Sequence, residues 1–320
     1  MNKRAICLLA VVAVIGVAPE FLNAWGNDGH IVINRTAARH IPESMPLFLR
    51  NAVNQIGYLG PEPDRWRNRS EYPLKEAQEP DHFIDMERLD AFGELPPGRY
   101  QFYKKAYALH DKAEPGSPAA SDDMLPDKIG LQPYETMEVF DRLKVAFREY
   151  RGLRAAKQSS LQAQQDAIFY AGWLGHYVAD AANPLHTTIH YNGWVGENPN
   201  GYTTARDTHG NFESRFVADN LTKLKFDDLV HAPVHLDHPF EDYMHYLHES
   251  NLQVRPFYDL EKTGAFRGAG TPEGLQFTRA RMAAGAQMLL NLWYTAWVDS
   301  GEPVPDGPPN PARPKAQPKS

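Results

Sequence analysis

The chain has 320 residues, 42% of them hydrophobic and 23% charged, which is enough for one large domain or two small ones. Its 33 basic and 40 acidic side chains give a formal net charge of -7, which excludes the basic surface that binds duplex nucleic acid non-specifically.

The N-terminus has the pattern of an export signal. Basic residues precede an apolar run over residues 6–18, and the small residue Ala24 lies directly before Trp25. The run is shorter than the roughly 20 residues that a membrane-spanning helix needs. We therefore expect residues 1–24 to be a signal peptide and the protein to be secreted or periplasmic, without stable membrane insertion. Because Cys7 is the only cysteine, a hydrophobic core or bound metal must replace disulfides in the mature chain.

Helical periodicity dominates the rest of the chain, and clusters of glycine and proline separate the helices. The predicted helices cover a region from Ile31 to Ile56, residues 100–110 and 131–151, Leu161–Ala182, Phe212–Leu224, Phe240–Leu252 and Pro272–Trp297. Residues 61–99 and 192–206 are predicted as loops, and the proline-rich residues 301–320 as a disordered tail. Few segments alternate as strands do, so we predict a compact, all-α, multi-helix single domain over residues 25–300.

The segment HYVADAANPLH places two potential metal ligands on one helix face. His176 and Asp180 are four residues apart and therefore lie one turn apart on the same side of the helix. Taken alone, this pair is equally consistent with a surface salt bridge. However, Pro184 ends the helix, and the resulting turn can fold His186 back toward the helix end.

A second pair, His209 and Glu213, repeats the four-residue spacing. The two pairs and His186 would supply five nitrogen and oxygen donors to one pocket, which indicates a site for more than one ion. Imidazole and carboxylate without thiolate suit zinc in a hydrolytic role, and ligand type alone leaves manganese and iron open. Two or three such ions would add about four to six positive charges at one spot, so the negative net charge is compatible with a small phosphate ester as substrate.

Further ligands are predicted upstream of these pairs. His30 follows the predicted cleavage site closely, where the free amine and the carbonyl of Trp25 would form a five-membered chelate. His82 lies in the segment PDHFIDME, and Asp64 in PEPDRWRN. Asp81 is the alternative to Asp64 as the first upstream carboxylate, although adjacent residues such as Asp81 and His82 rarely bind one ion together.

The motifs WGNDGH, HFID, HYVADAANPLH and HGNFE occur in an order that resembles the trizinc phosphodiesterase superfamily. This superfamily comprises the single-strand-specific nucleases of fungi and plants and the bacterial zinc-dependent phospholipases C. The resemblance spans nearly all of the chain from Trp25 to the last predicted helix, and it implies a cleft with three zinc ions. The resemblance implies that Asp64, His82, His176 and Asp180 hold one ion. It implies that His186, His209 and Glu213 hold a second ion that is more open to solvent. The third ion would be held by Trp25, His30 and Asp180, which would bridge two ions.

The sequence carries features of both branches. The short spacing from Trp25 to His30, the long gap from His186 to His209 and the motif HFID resemble the nucleases. Glu213 stands where those nucleases typically have aspartate, and it resembles the phospholipases. These features together favour the nuclease branch.

The resemblance also implies roles in catalysis and substrate binding. Asp64 could accept a proton, Arg67 could stabilise charge on the phosphoryl oxygens, and Asp180 would be shared between two ions. Phe83 and Asp85 are candidates for stacking on and hydrogen-bonding a nucleobase. Alternatively, Phe83 belongs to the core and Asp85 accepts a hydrogen bond from a ligand histidine.

We therefore predict an exported zinc-dependent phosphodiester hydrolase that uses metal-activated water. Its expected substrates are single-stranded DNA or RNA and 3′-nucleotides, and its products would be 5′-phosphorylated. The first alternative is a phospholipase C that hydrolyses phospholipid headgroup esters. The second is a zinc-binding protein without catalytic turnover. In each case we expect a monomer.

Overall fold

The computed structural model describes residues 25–303, so the predicted signal peptide and the predicted tail beyond residue 303 lie outside the described residues. Its helices are α1 (Gly26–Arg39), α2 (Leu47–Arg50), α3 (Val53–Leu59), α4 (Glu62–Trp66), α5 (Tyr72–Gln78), α6 (Met86–Leu89), α7 (Arg99–Lys112), α8 (Pro126–Ile129), α9 (Gln132–Ala155), α10 (Leu161–Ala182), α11 (Thr208–Gly210), α12 (Val217–Asn220), α13 (Pro239–Asn251), α14 (Val254–Lys262) and α15 (Pro272–Asp299). This region contains no β-strand, which confirms the all-α prediction. Within it, no helix is both long and apolar enough to span a membrane.

Helix α10 lies at the centre of the fold. It packs against α9, α15, α3 and α1, and its C-terminal half is buried on all sides. A helix with apolar residues around its whole circumference is expected to be surrounded by other helices, and α10 meets this description from Leu174 onward. The ligand pair His176 and Asp180 is therefore carried by the most buried helix of the domain.

A buried amide fixes the distance between α1 and α10. The Asn34 side chain donates hydrogen bonds to the carbonyl oxygens of Gly172 (2.9 Å) and Ile56 (3.0 Å). At Gly175 there is no room for a side chain, because a Cβ atom there would lie 2.0 Å from Asn34 Oδ1. This close approach brings α1, which carries His30, against the part of α10 that carries His176.

Three regions differ from the sequence predictions. The predicted loop over residues 61–99 contains helices α4, α5 and α6, two of which have proline in the first turn, where its missing N–H costs no hydrogen bond. The predicted helix Phe212–Leu224 is instead a π-helical segment, Asn211–Phe216, between α11 and α12. Helix α14 was not predicted from the sequence.

Candidate metal centre

The first ligand cluster lies between α10 and the turn Glu79–His82. The distance from His82 Nδ1 is 2.9 Å to His176 Nε2 and 3.1 Å to Asp180 Oδ2, and His176 Nε2 lies 3.3 Å from the same oxygen. Asp64 Oδ1 is 3.9 Å from both ring nitrogens. Tetrahedral zinc with bonds of about 2.0 Å separates its ligand atoms by about 3.3 Å. Donor atoms of Asp64, His82 and His176 lie within 4.8 Å of one another, close enough to hold one zinc ion, and Asp180 Oδ2 lies beside the two histidines.

The second cluster consists of His186, His209 and Glu213. Glu213 Oε2 is 3.3 Å from His186 Nε2 and 2.6 Å from His209 Nε2, and the two histidine nitrogens are 3.2 Å apart. The side chain of His209 is 13% exposed and faces a cleft, whereas that of Glu213 is buried. Three protein ligands and a side open to solvent are the arrangement of catalytic zinc sites.

The third cluster joins α1 to α10. His30 Nε2 lies 3.3 Å from Asp180 Oδ1, and the imidazole rings of His30 and His176 stack with centroids 4.1 Å apart. The two carboxylate oxygens of Asp180 therefore point in different directions, Oδ1 toward His30 and Oδ2 toward His82 and His176. This geometry is what a carboxylate shared between two ions requires.

Several buried ligand atoms lack a hydrogen-bond partner, although buried polar atoms in proteins are nearly always paired. The unpartnered atoms are both ring nitrogens of His30, Asp64 Oδ2, His82 Nε2, Asp180 Oδ1 and Glu213 Oε1. The contact between His30 and Asp180 is short but not aligned for a hydrogen bond. Desolvated donors and acceptors of this kind are costly without a partner, and zinc between His30 Nε2 and Asp180 Oδ1 would supply one to both of these atoms.

Backbone carbonyl groups orient two of the ligand histidines. A carbonyl oxygen can only accept a hydrogen bond, so Nδ1 of His176 donates to Gly60 (2.9 Å) and Nδ1 of His186 donates to His82 (2.7 Å). Nε2 of each ring is then left with its lone pair directed into a cluster. Such outer hydrogen bonds fix the tautomer of metal ligands.

The turn after α10 delivers His186 as the sequence predicted. Helix α10 ends at Ala182, and a 3₁₀ turn over Pro184–His186 follows at once. Asn183 caps this turn by accepting a hydrogen bond from the Leu185 amide (3.1 Å). The same side chain donates to Glu213 Oε2 (3.2 Å), so it links the turn to the second cluster.

Burial and charge prepare most of these groups to bind a cation. Burial lowers the pKa of both His30 and His82, which keeps the rings neutral. Burial would raise the pKa of Asp180, but His176 and His186 outweigh it and hold that pKa well below its usual range. Ligands must be deprotonated to bind metal, so these three groups are ready at neutral pH.

Three groups differ. Burial raises the pKa of Asp64, and the Asp180 and Asp64 carboxylates together outweigh burial and raise the pKa of His176. Burial would also lower the pKa of His186, but the Asp180 and Glu213 carboxylates and the His82 carbonyl together outweigh it and raise this pKa to about 9. A cation entering beside His186 must therefore displace a proton, which makes its binding depend on pH.

A cleft of about 870 Å³ opens onto the first and second clusters. Its walls carry five carboxylates that are not ligands but only two cations, Arg67 and Lys128. The carboxylates are those of Glu76, Glu79, Asp85, Asp123 and Asp127. Four tyrosines, Tyr72, Tyr103, Tyr107 and Tyr191, add an aromatic surface. The cleft is therefore acidic and aromatic away from the ligands.

Of the predicted catalytic and substrate-binding residues, Arg67, Phe83 and Asp85 line this cleft, whereas Asp64 and Asp180 are buried and do not line it. Arg67 Nη1 donates to Asp64 Oδ1 (3.3 Å), and its guanidinium group lines the cleft. Phe83 and Asp85 line it beside His82. Asp85 also accepts a hydrogen bond from Arg88 (3.1 Å), yet burial outweighs this contact and raises its pKa to about 7.

Two upstream residues have contacts beyond those predicted. Asp81, the alternative ligand, accepts a hydrogen bond from Arg99 (2.8 Å) and belongs to none of the three clusters, so the geometry favours Asp64. The backbone nitrogen of Trp25 lies 3.2 Å from Glu213 Oε2, in the second cluster. The predicted chelate with His30 requires a free amine at this position and stays a prediction.

The sequence matches no protein-family profile and no curated protein. Solved structures that resemble the chain include two clostridial toxins. One is the alpha-toxin of Clostridium perfringens from an avian strain, with 14% identity, a TM-score of 0.41 and coverage of 86% of this chain and 64% of the toxin. The other is the alpha toxin of Clostridium absonum, with 12% identity, a TM-score of 0.42 and coverage of 88% and 67%.

The chain thus spans about two thirds of the length of these toxins. Both neighbours are described as toxins and neither as a nuclease. Similarity at this level does not show that the chain shares the function of these toxins.

The tyrosines of the cleft were missed by the sequence analysis. Tyr103 and Tyr107 lie on α7 and Tyr72 begins α5. Tyr100, Tyr103 and Tyr107 recur at helical spacing in a helix that was predicted, and this is a signal for an aromatic face. That the face borders the metal ligands depends on tertiary packing, which the spacing does not reveal.

Proposed function

We propose that the protein is a zinc-dependent hydrolase of phosphodiester bonds. The observation that carries this proposal is the Asp180 carboxylate, whose two oxygens face different ligand clusters at 3.3 Å and 3.1 Å. This carboxylate joins two candidate cation sites, and the cluster of His186, His209 and Glu213 beside it provides a third. Closely spaced divalent ions are suited to phosphoryl chemistry, because they neutralise charge on both the attacking and the leaving oxygen.

The residues of the chain have separate tasks in this reaction. Bound zinc supplies Lewis acidity, which polarises a phosphoryl oxygen and makes water nucleophilic at neutral pH. The open side of the second cluster faces the cleft, where a phosphate group has access. Arg67 can donate hydrogen bonds to phosphoryl oxygens from the cleft wall. Asp64 lies at the first cluster, where a carboxylate oxygen that is not bound to zinc could accept a proton.

The charge of the cleft supports a phospholipid headgroup ester as the substrate. A single-stranded polynucleotide needs a positively charged groove along its backbone, and here five carboxylates oppose two cations. A headgroup ester carries one phosphodiester, which the metal centre can hold alone. The exposed Tyr72 and Tyr107 at the cleft offer apolar surface for the rest of such a molecule.

A nuclease that acts on single strands or 3′-nucleotides is the second candidate. The observation that favours it is that Phe83 and Asp85 both line the cleft beside the ligand His82. An aromatic ring and a hydrogen-bonding carboxylate are a suitable pair for one nucleobase. A zinc-binding protein without turnover has less support, since the open side of the second cluster would then have no purpose.

A parallel hydrolysis assay tests the proposal. The zinc-loaded protein is incubated with single-stranded DNA, RNA, 3′-AMP, phosphatidylcholine vesicles and bis(p-nitrophenyl) phosphate. We expect release of product from phosphatidylcholine and the nitrophenyl ester, loss of both activities with a chelator, and recovery on adding zinc. Cleavage of the nucleic acids alone would establish the nuclease candidate. Failure on all five substrates with zinc bound would refute the proposed hydrolase.

A further inference from the structure

The segment of residues 80–86, here called the ligand segment, serves two metal clusters at once. The imidazole of His82 belongs to the first cluster, while the His82 carbonyl oxygen orients His186 of the second. A shift of this backbone would therefore misplace ligands in both clusters. The contacts that hold the ligand segment in place therefore affect the geometry of both clusters.

Backbone hydrogen bonds hold the ligand segment from two sides. On one side, the Ile84 amide donates to the His186 carbonyl (2.9 Å). On the other, the Leu131 amide donates to Pro80 (2.7 Å) and the Asp85 amide to Ile129 (2.7 Å). The backbone at Gly130 lies so close to the ligand segment that a Cβ atom there would be 2.1 Å from the Phe83 carbonyl oxygen.

One buried guanidinium ties the ligand segment to α7 and α9 through side chains. Arg99 at the start of α7 donates to Asp81 Oδ1 (2.8 Å), to Glu138 Oε1 (2.9 Å) and to the Glu135 carboxylate. The side chains of Asp81 and Glu135 are 3% and 7% exposed, and that of Arg99 is 14% exposed. All three nitrogens of the guanidinium are engaged, and each contacts a different carboxylate.

These contacts with three carboxylates depend on the planar guanidinium group of arginine, which directs its N–H groups at fixed angles. Lysine carries the same charge but presents it as a single point, and it cannot direct hydrogen bonds to three carboxylates at fixed angles. Arg142 offers a contrast in the same network. It lies 3.9 Å from Glu135 and 3.8 Å from Glu138 and has no hydrogen bond to Asp81.

We infer that Arg99 is a positioning residue for the metal centre. It acts through Asp81, which precedes the ligand His82, and so fixes the ligand segment against α9. This role rests on the metal centre of the proposed function, but it concerns zinc binding and not the substrate.

The test measures zinc affinity by competition with a chelator and the visible absorption of the cobalt-substituted protein. For Arg99→Lys we expect zinc affinity to fall about tenfold, the lower end of the range for residues that support metal ligands, together with an altered cobalt spectrum. The matched control, Arg142→Lys, should leave both unchanged. Asp81→Asn keeps the bonds of Arg99 to Glu135 and Glu138, and should weaken zinc binding in the same direction.

A purely structural role predicts a different result. The metal-free Arg99→Lys and Asp81→Asn variants would then melt at a lower temperature, with wild-type zinc affinity and an unchanged cobalt spectrum, and this would overturn the inference. Equal losses in Arg99→Lys and Arg142→Lys would overturn it as well. Wild-type protein that binds zinc but hydrolyses no ester would refute the proposed function alone, whereas wild-type protein that binds no zinc would refute both.

Discussion

Replacing Asp180 by asparagine is the strongest test of the metal centre. Asparagine has the same shape but lacks the negative charge and one carboxylate oxygen. In the structure, Oδ1 of Asp180 is 3.3 Å from His30, and Oδ2 is 3.1 Å from His82 and 3.3 Å from His176. The substitution therefore removes a ligand from two cation sites in one step.

The size of the effect follows from this sharing. Losing a group that only supports a ligand costs about 10- to 100-fold in metal affinity, and losing the ligand itself costs at least as much. Because Asp180 faces two sites, the combined loss for Asp180→Asn is on the order of 10² to 10⁴. We expect the rate of bis(p-nitrophenyl) phosphate hydrolysis to fall by about a thousandfold, the middle of that range.

The assay compares bound zinc per chain, measured by elemental mass spectrometry, with the hydrolysis rate. Asp166→Asn is the matched control, because Asp166 is exposed on the same helix, α10. Circular dichroism should show the same helix content for both variants. Asp180→Asn protein with the wild-type zinc content and rate would refute the shared-carboxylate arrangement.

Three further changes test other parts of the site. Arg67→Met, assayed with saturating zinc because Arg67 also donates to Asp64, should lower kcat about a hundredfold, since a donor to the phosphoryl oxygens is removed; unchanged kcat, or an equal fall in the exposed control Arg69→Met, would contradict this role. Burial raises the pKa of Glu135 to about 7, so the folded state binds a proton at this group more tightly than the unfolded state does. The stability that this proton contributes is complete below about pH 4.5 and is lost as the pH rises to about 7. It amounts to at most on the order of 3 kcal/mol. The free energy of unfolding in urea, measured with saturating zinc, should therefore vary less with pH for Glu135→Gln than for wild type. Parallel pH profiles for the two proteins would contradict the raised pKa of Glu135. One residue added ahead of Trp25 in the mature chain should reduce bound zinc by one ion, and unchanged zinc content and rate would exclude the N-terminal chelate.

Long helices were predictable from the sequence because their signal is local. Helix α10 begins and ends at the predicted residues, Leu161 and Ala182, since apolar residues recur along it at helical spacing and Pro184 stops it. The short helices between residues 61 and 99 were not predicted. They have one or two turns each, so their periodicity is too brief to detect, and their stability comes from packing rather than from their own sequence.

The ligands were predictable for a similar reason, whereas their surroundings were not. His176 and Asp180 share a helix face, so their spacing alone predicts that they meet. By contrast, Arg99 and Asp81 are distant in sequence, and only the packing of α7 against the ligand segment brings them together. Charge counting over the whole chain likewise gives no hint of where the acidic residues of the cleft gather.

The metal centre is also positioned to stabilise the fold. Its ligands come from segments that are far apart in the chain, from His30 on α1 through His82 and α10 to Glu213 on the π-helical segment. Without metal, these ligands leave buried nitrogen and oxygen atoms unpaired at the point where the segments meet. Metal that binds only the folded state adds its binding free energy to the stability of that state. Because the sequence from Trp25 onward contains no cysteine, bound zinc would provide long-range cross-links that disulfides cannot provide there.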